Sequence, residues 1–170
     1  MKLYVMRHGP AEDHSPSGRD DDRALTPSGR ERVLAVAERL LEIGEAPRAI
    51  VTSPLVRAVQ TAEVVAVAIH SKNGGGDVEV RRELAPGGDV LSLARKLAVA
   101  RRKRMMLIGH EPDLSAAVGA LLGGFDLGFA KAMVVGLHVA PDALPARLRF
   151  VLEPRALELL ELDKNVGEGT

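Results

Sequence analysis

Apolar residues fall into two alternating patterns along this chain: short unbroken runs, and longer stretches with one apolar face per helical turn. Leu3 to Met6, Ala49 to Val51 and Met105 to Ile108 are the runs, each stopped within a few residues by Gly, Ser or Pro, and they predict buried strands. Val33, Ala37, Leu40 and Leu41 recur at helical spacing after Thr26-Pro27, a cap followed by a proline suited to the first helical position, and Gly44 ends that stretch. A second helix follows Thr52-Ser53-Pro54 with Ala58, Ala62, Val65, Ala66 and Ile69 on one face. A third covers about residues 90–100, and a fourth carries Leu114, Ala117, Val118 and Leu121 and stops at Gly123-Gly124. Val78 to Val80 predicts a short edge strand. Met133 to Val139 and Leu148 to Leu152 predict two closing strands joined by a turn at Pro141-Asp142, and Pro154 to Leu162 predicts a last short helix or cover. Lys72 to Asp77 reads as a flexible surface connection and residues 11–25 as a polar loop.

Strands alternating with helices predict an α/β fold: three layers, α/β/α, with a mostly parallel central sheet and one antiparallel edge strand contributed by the closing hairpin. A chain of 170 residues with 46% hydrophobic residues suits a single domain, read here as residues 1–163, with a disordered tail over 164–170. Aromatics are 2%, so base-stacking platforms are missing. Lys+Arg and Asp+Glu are both 23, so no global basic field exists to recruit nucleic acid or an anionic membrane. The absence of cysteine excludes disulfides and thiolate chemistry. No apolar stretch reaches the roughly 18 residues of a membrane span, and the start lacks a signal-peptide pattern, so a cytoplasmic location and a monomer are the defaults.

The chemistry collects at the predicted strand ends and helix starts. Arg7-His8-Gly9-Pro10 closes the first strand, Arg57 lies in the first turn of the second helix, and Gly109-His110-Glu111-Pro112 closes the central strand. Open α/β sheets bind ligands outside the carboxyl ends of their strands. A helix amino terminus favours an anion, and an arginine there adds a planar fork for phosphate. Two arginines and two histidines without carboxylates suit phosphate and oppose a dication, so no metal or other cofactor is expected. Neutral imidazole is a nucleophile toward phosphorus, and cationic neighbours disfavour imidazolium. The reaction expected of such a cluster has two steps: His8 takes a phosphoryl group, and water then releases inorganic phosphate.

Arg7-His8-Gly9 at the end of the first strand resembles the RHG signature of the histidine phosphatase superfamily (phosphoglycerate-mutase-like). Ser53-Pro54-Leu55-Val56-Arg57-Ala58-Val59-Gln60-Thr61-Ala62 is similar to that family's S-P-x-x-R-A-x-Q-T-A helix start, and Gly109-His110-Glu111-Pro112 to the segment with its second histidine. The resemblance implies a phosphoglycerate-mutase-like fold, with His8 as nucleophile, Arg7, Arg57 and His110 on the phosphate, and Gly9 orienting His8 through its carbonyl. Asp22-Arg23-Ala24-Leu25-Thr26-Pro27-Ser28-Gly29 and Glu83 to Asp89 resemble the small SixA phosphohistidine phosphatases. That branch lacks a helical cap, needs no metal and acts on a histidine phosphotransfer-type protein domain.

The general acid is the least defined position. Phosphomonoesters leave as alkoxides and need a proton donor, whereas a phosphoramidate leaves as imidazole. Glu83 and the Asp20 to Asp22 cluster, Asp22 foremost, are the candidates, although Glu83 has Arg81 and Arg82 beside it as ion-pair partners. His14 is expected as an exposed loop residue and His138 as a structural mid-strand one. Two other readings remain open. One is a phosphatase of small phosphorylated metabolites or nucleotides using the same His8 chemistry; the other is a module that binds a phosphorylated partner without turning it over.

Overall fold

The computed structural model describes residues 1–73, 78–141 and 145–160. Within these residues seven strands form one sheet in the order β3-β2-β4-β1-β5-β6-β7. These are β1 Lys2–Arg7, β2 Ala49–Thr52, β3 Val78–Val80, β4 Arg104–Gly109, β5 Val134–His138, β6 Arg147–Leu152 and β7 Leu159–Leu160. The helices are α1 Pro27–Glu42, α2 Val56–Asn73, α3 Val90–Val99 and α4 Asp113–Leu121, and short 3-10 turns sit at Asp20–Asp22 and Arg82–Leu84.

Strands β3, β2, β4 and β1 are parallel, with Lys2 opposite Arg104 and Arg7 opposite Gly109. Side chains alternate across a strand, so β1 serves two cores at once. Leu3 and Val5 pack with Met105, Leu107, Leu93 and Leu114 under α3 and α4. Tyr4 and Met6 pack with Met106, Ile108, Val33 and Leu40 under α1 and α2. Burial on both faces explains why β1 and β4 read as unbroken apolar runs rather than alternating ones.

Antiparallel pairing extends further than a single edge strand. β5 lies inside the sheet between β1 and β6, and β7 pairs antiparallel with β6. The path of the chain gives the reason. α4 ends beside the start of β6, where Ala146 N–H donates to the Leu121 carbonyl. Residues 122–133 then climb back to the carboxyl end of β1, so β5 must enter from that end and run the other way. The stretch from Pro154 is a turn into β7 rather than a helix. The Glu153 carboxylate accepts from Arg155 and Ala156 N–H, and Leu157 has φ 56°, which no helix tolerates. The expected tail at 164–170, Asp142 of the expected turn, and residues 74–77 of the expected surface connection lie outside the described residues. His138 is the exposed last residue of β5 rather than a mid-strand one; His14 is exposed, as expected. No helix among the described residues is long and apolar enough to cross a membrane.

Candidate active site

Arg7 and His8 leave the carboxyl end of β1, His110 leaves the neighbouring end of β4, and Ser53 leaves β2. The parallel register aligns these ends, and His8 N–H donates to the Gly109 carbonyl at 3.1 Å. α1 packs close beneath this point. A Cβ on Gly9 would stand 2.6 Å from Val33 Cγ2, and one on Gly29 would collide with the Pro10 carbonyl. Glycine at both positions lets helix and turn touch.

α2 starts at Val56, two residues beyond the Ser53-Pro54 pair, because the Leu55 carbonyl makes the first helical bonds, to Ala58 and Val59. Arg57 is therefore its second residue and is buried at 4% exposure. Thr61, one turn later, accepts from Gly9 N–H at 3.0 Å and donates to the Arg57 carbonyl at 2.7 Å, tying the β1 turn to the arginine. Gln60 accepts from Leu25 N–H at 2.7 Å and holds the end of the polar loop against the same helix.

The two histidine rings lie 5.1 Å apart between centroids, and both are buried. His8 Nδ1 is 2.7 Å from the Gly9 carbonyl. A carbonyl only accepts, so Nδ1 carries the ring proton and Nε2 presents a lone pair. Burial pushes the His8 pKa down to about 3. The Gly9 bond opposes that shift, and the charges of His110, Arg57 and Arg7 add to it. His110 falls to about 4, again chiefly through burial and then through Arg57. Burial thus outranks the cationic neighbours in keeping His8 neutral.

The cations around these rings are only partly matched. Arg7 Nη1 donates to the Phe129 carbonyl at 2.7 Å. Glu111 holds the same residue from its other side, accepting from Phe129 N–H at 2.7 Å. Arg57 gives Nη1 to the Asp20 carbonyl and Nη2 to the Asp20 carboxylate, at 2.8 and 2.9 Å. Arg7 Nε, Arg57 Nε and His110 Nδ1 are buried without a partner among the described residues. Buried donors left unmet cost roughly 1–3 kcal/mol each, so this cluster is built for an acceptor that the described residues do not supply. Its chemistry fits a tetrahedral oxyanion. Among the described residues no three of His, Cys, Asp and Glu gather as metal ligands.

The candidate acids behave differently from expectation. Asp20, not Asp22, reaches the site. Desolvation raises its pKa, but hydrogen bonding to and the charge of Arg57, then Arg23, outweigh this and hold it low. Asp22 turns away, its carboxylate accepting from Ser17 Oγ at 2.6 Å beside Arg19. Glu83 is clamped by Arg81 through Nε and Nη2, at 3.3 and 2.9 Å, and this pairing draws its pKa down to about 2. A carboxyl so ionised has no proton to donate near neutral pH. Ser53, Thr61 and Glu111 stood in quoted motifs without an assigned task. Thr61 was recoverable from its four-residue spacing to Arg57, whereas the Phe129 carbonyl leaves no sequence signal at all.

Comparison with known proteins agrees with this architecture. A model of the histidine phosphatase superfamily (branch 1) matches residues 3–85. An uncharacterized protein of Picosynechococcus sp. is 38% identical over 144 residues, covering 81% of this chain and 85% of that protein. The structure of the protein histidine phosphatase SixA complexed with tungstate superposes with a TM-score of 0.83 at 25% identity, covering 93% of this chain and 100% of that one. A SixA-assigned structure from Agrobacterium tumefaciens gives a TM-score of 0.73 at 24% identity, covering 90% and 98%. The chain belongs to the histidine phosphatase superfamily, with the build of its small SixA-type branch.

Proposed function

We propose that this protein hydrolyses phosphorylated histidine on a protein domain through a phosphohistidine intermediate on His8, without a metal. The observation that carries the reading is the fixed tautomer of His8: the Gly9 carbonyl accepts from Nδ1–H, leaving the Nε2 lone pair among Arg7, Arg57 and His110. In the first step Nε2 attacks phosphorus, the bond to the leaving nitrogen breaks, and the displaced imidazole takes its proton from water. In the second step water attacks the phosphohistidine. Its proton passes to solvent, His8 recovers the neutral ring, and inorganic phosphate departs. Arg7, Arg57 and His110 stabilise the equatorial oxygens in both steps. Tungstate, held by the SixA structure, is an oxyanion of the same tetrahedral shape.

The state of the carboxyls supports phosphohistidine over phosphomonoesters. Glu83 and Asp20 are both held ionised by arginines, so neither is poised to protonate an alkoxide. The test is a panel: a phosphorylated histidine phosphotransfer domain beside small phosphomonoesters and nucleotides, each with and without chelator. Faster turnover of the phosphoprotein, unchanged by chelator, is expected. Comparable or faster turnover of the esters would favour a small phosphorylated molecule as substrate, and loss of activity in chelator would overturn metal independence.

A further inference from the structure

His110 is neutral in the site, so one ring nitrogen carries the proton and the other does not. Its Nε2 lies 2.8 Å from Ser53 Oγ, and that bond can run in either direction. Ser53 is fully buried, and its oxygen already accepts from Leu55 N–H at 3.3 Å. Suppose Nε2–H donates to the serine. The hydroxyl proton then has no acceptor among the described residues, and His110 Nδ1 becomes a bare lone pair with no partner. Suppose instead that the hydroxyl donates to Nε2. Leu55 N–H, Ser53 O–H and His110 Nε2 are all satisfied at once, and the one group left over is an Nδ1–H donor. The second arrangement leaves one orphan fewer, and an anion can satisfy the orphan it does leave.

We propose that Ser53 is a positioning residue: its hydroxyl donates to His110 Nε2 and holds the ring proton on Nδ1, where it serves the phosphoryl oxygens. The same device thus appears twice. Gly9 fixes His8 as an acceptor at the ring atom facing the reaction, and Ser53 fixes His110 as a donor. A reversed tautomer would aim a lone pair at the anion and replace attraction with repulsion. The use made of the Nδ1 proton rests on the phosphoryl-transfer reading above, but the tautomer itself does not.

The experiment records long-range ¹H–¹⁵N correlations on the full chain labelled with ¹⁵N-histidine in phosphate-free buffer, with the His110 signals assigned by their loss in His110→Gln. Expected are a protonated Nδ1 and a bare Nε2 at His110. In Ser53→Ala, Nε2–H becomes populated and kcat falls by about tenfold to a hundredfold, less than the roughly 10²- to 10³-fold of losing a transition-state donor outright because part of the population keeps Nδ1–H. Ser53→Thr, which keeps the hydroxyl, restores both. Thermal unfolding of each variant identifies any that fails to fold, in which case the wild-type tautomer alone decides. Nε2–H at His110 in the wild type, or an unchanged tautomer in folded Ser53→Ala, would overturn the proposal. If Nδ1–H is seen but no phosphate is ever trapped on His8, the phosphoryl-transfer reading fails and the tautomer assignment stands.

Discussion

The two ends of β1 and β4 carry clusters of similar composition and opposite character. At the amino end, Lys2, Arg104 and Arg149 surround Glu45. Lys2 Nζ and the Arg149 guanidinium reach its two oxygens at 2.6–3.2 Å, and Tyr4 donates to it at 2.8 Å. Arg104 adds a further ion pair and a bond to the Gly44 carbonyl. Arg149 foremost, then Tyr4 and Lys2, draw the Glu45 pKa down to about 2. At the carboxyl end, Arg7 and Arg57 flank two neutral histidines, and buried donors there find no partner among the described residues. The same side-chain types therefore do different work. Cations gathered on a half-buried carboxylate hold the molecule together; cations met, among the described residues, only by the exposed Asp20 carboxylate and two backbone carbonyls keep further donors for a ligand.

Breaking each cluster should give opposite outcomes, and the largest effect is expected at the site. Arg57→Ala should lower kcat/KM by about 10²- to 10³-fold while changing thermal stability little, measured by steady-state kinetics beside calorimetry. Glu45→Gln should do the reverse. It strands three half-buried cations, so it should cost on the order of 2–3 kcal/mol in denaturant unfolding and leave kcat within about threefold. A large loss of turnover in Glu45→Gln would show that the two ends are coupled.

Acid separates the clusters by pH window. Both histidines titrate lower in the folded chain than unfolded, so between the ordinary histidine value of 6.5 and about 3 the unfolded state binds more protons. Their contribution to stability is complete above 6.5 and is lost as pH falls through about 4 and then about 3. Glu45 contributes above 4.5, and that contribution is lost as pH falls toward about 2. A stability–pH curve should therefore decline from near pH 6.5, and Glu45→Gln should flatten only its lowest part. The smallest effect is expected at Asp20, whose exposed carboxylate shares Arg57 with the incoming phosphate. Asp20→Asn should tighten inhibition by inorganic phosphate by about two- to fivefold, the scale of one solvent-screened ion pair. Weaker inhibition would mean that Asp20 orients Arg57 rather than competing for it.

Much of this arrangement was readable from the chain. The runs at Leu3 and Met105 marked central strands because both faces of each are buried, and Arg7, His8, Arg57 and His110 each sat where a strand ends or a helix begins. The antiparallel half was harder to read. Whether β5 lies at an edge or inside the sheet depends on where residues 122–133 travel, and periodicity carries no record of that path. The candidate acids misled for a related reason. Charge along a loop shows which residues are acidic, but not that Glu83 meets Arg81 or that Asp20, rather than Asp22, turns toward Arg57. Ser53 stood only as part of the stretch before a helix, yet its hydroxyl stands against His110, a pairing between the ends of β2 and β4 that only the sheet order reveals.

The central claim is that His8 Nε2 accepts a phosphoryl group, and a rapid quench tests it most directly. The protein is mixed with a ³²P-phosphohistidine domain, stopped in alkali within a single turnover and digested for mass spectrometry. Acid-labile, alkali-stable phosphate on the peptide carrying His8, absent from His8→Ala along with all turnover, is the predicted result. Turnover that persists in His8→Ala, or that proceeds in the wild type with no label on that peptide, would contradict it.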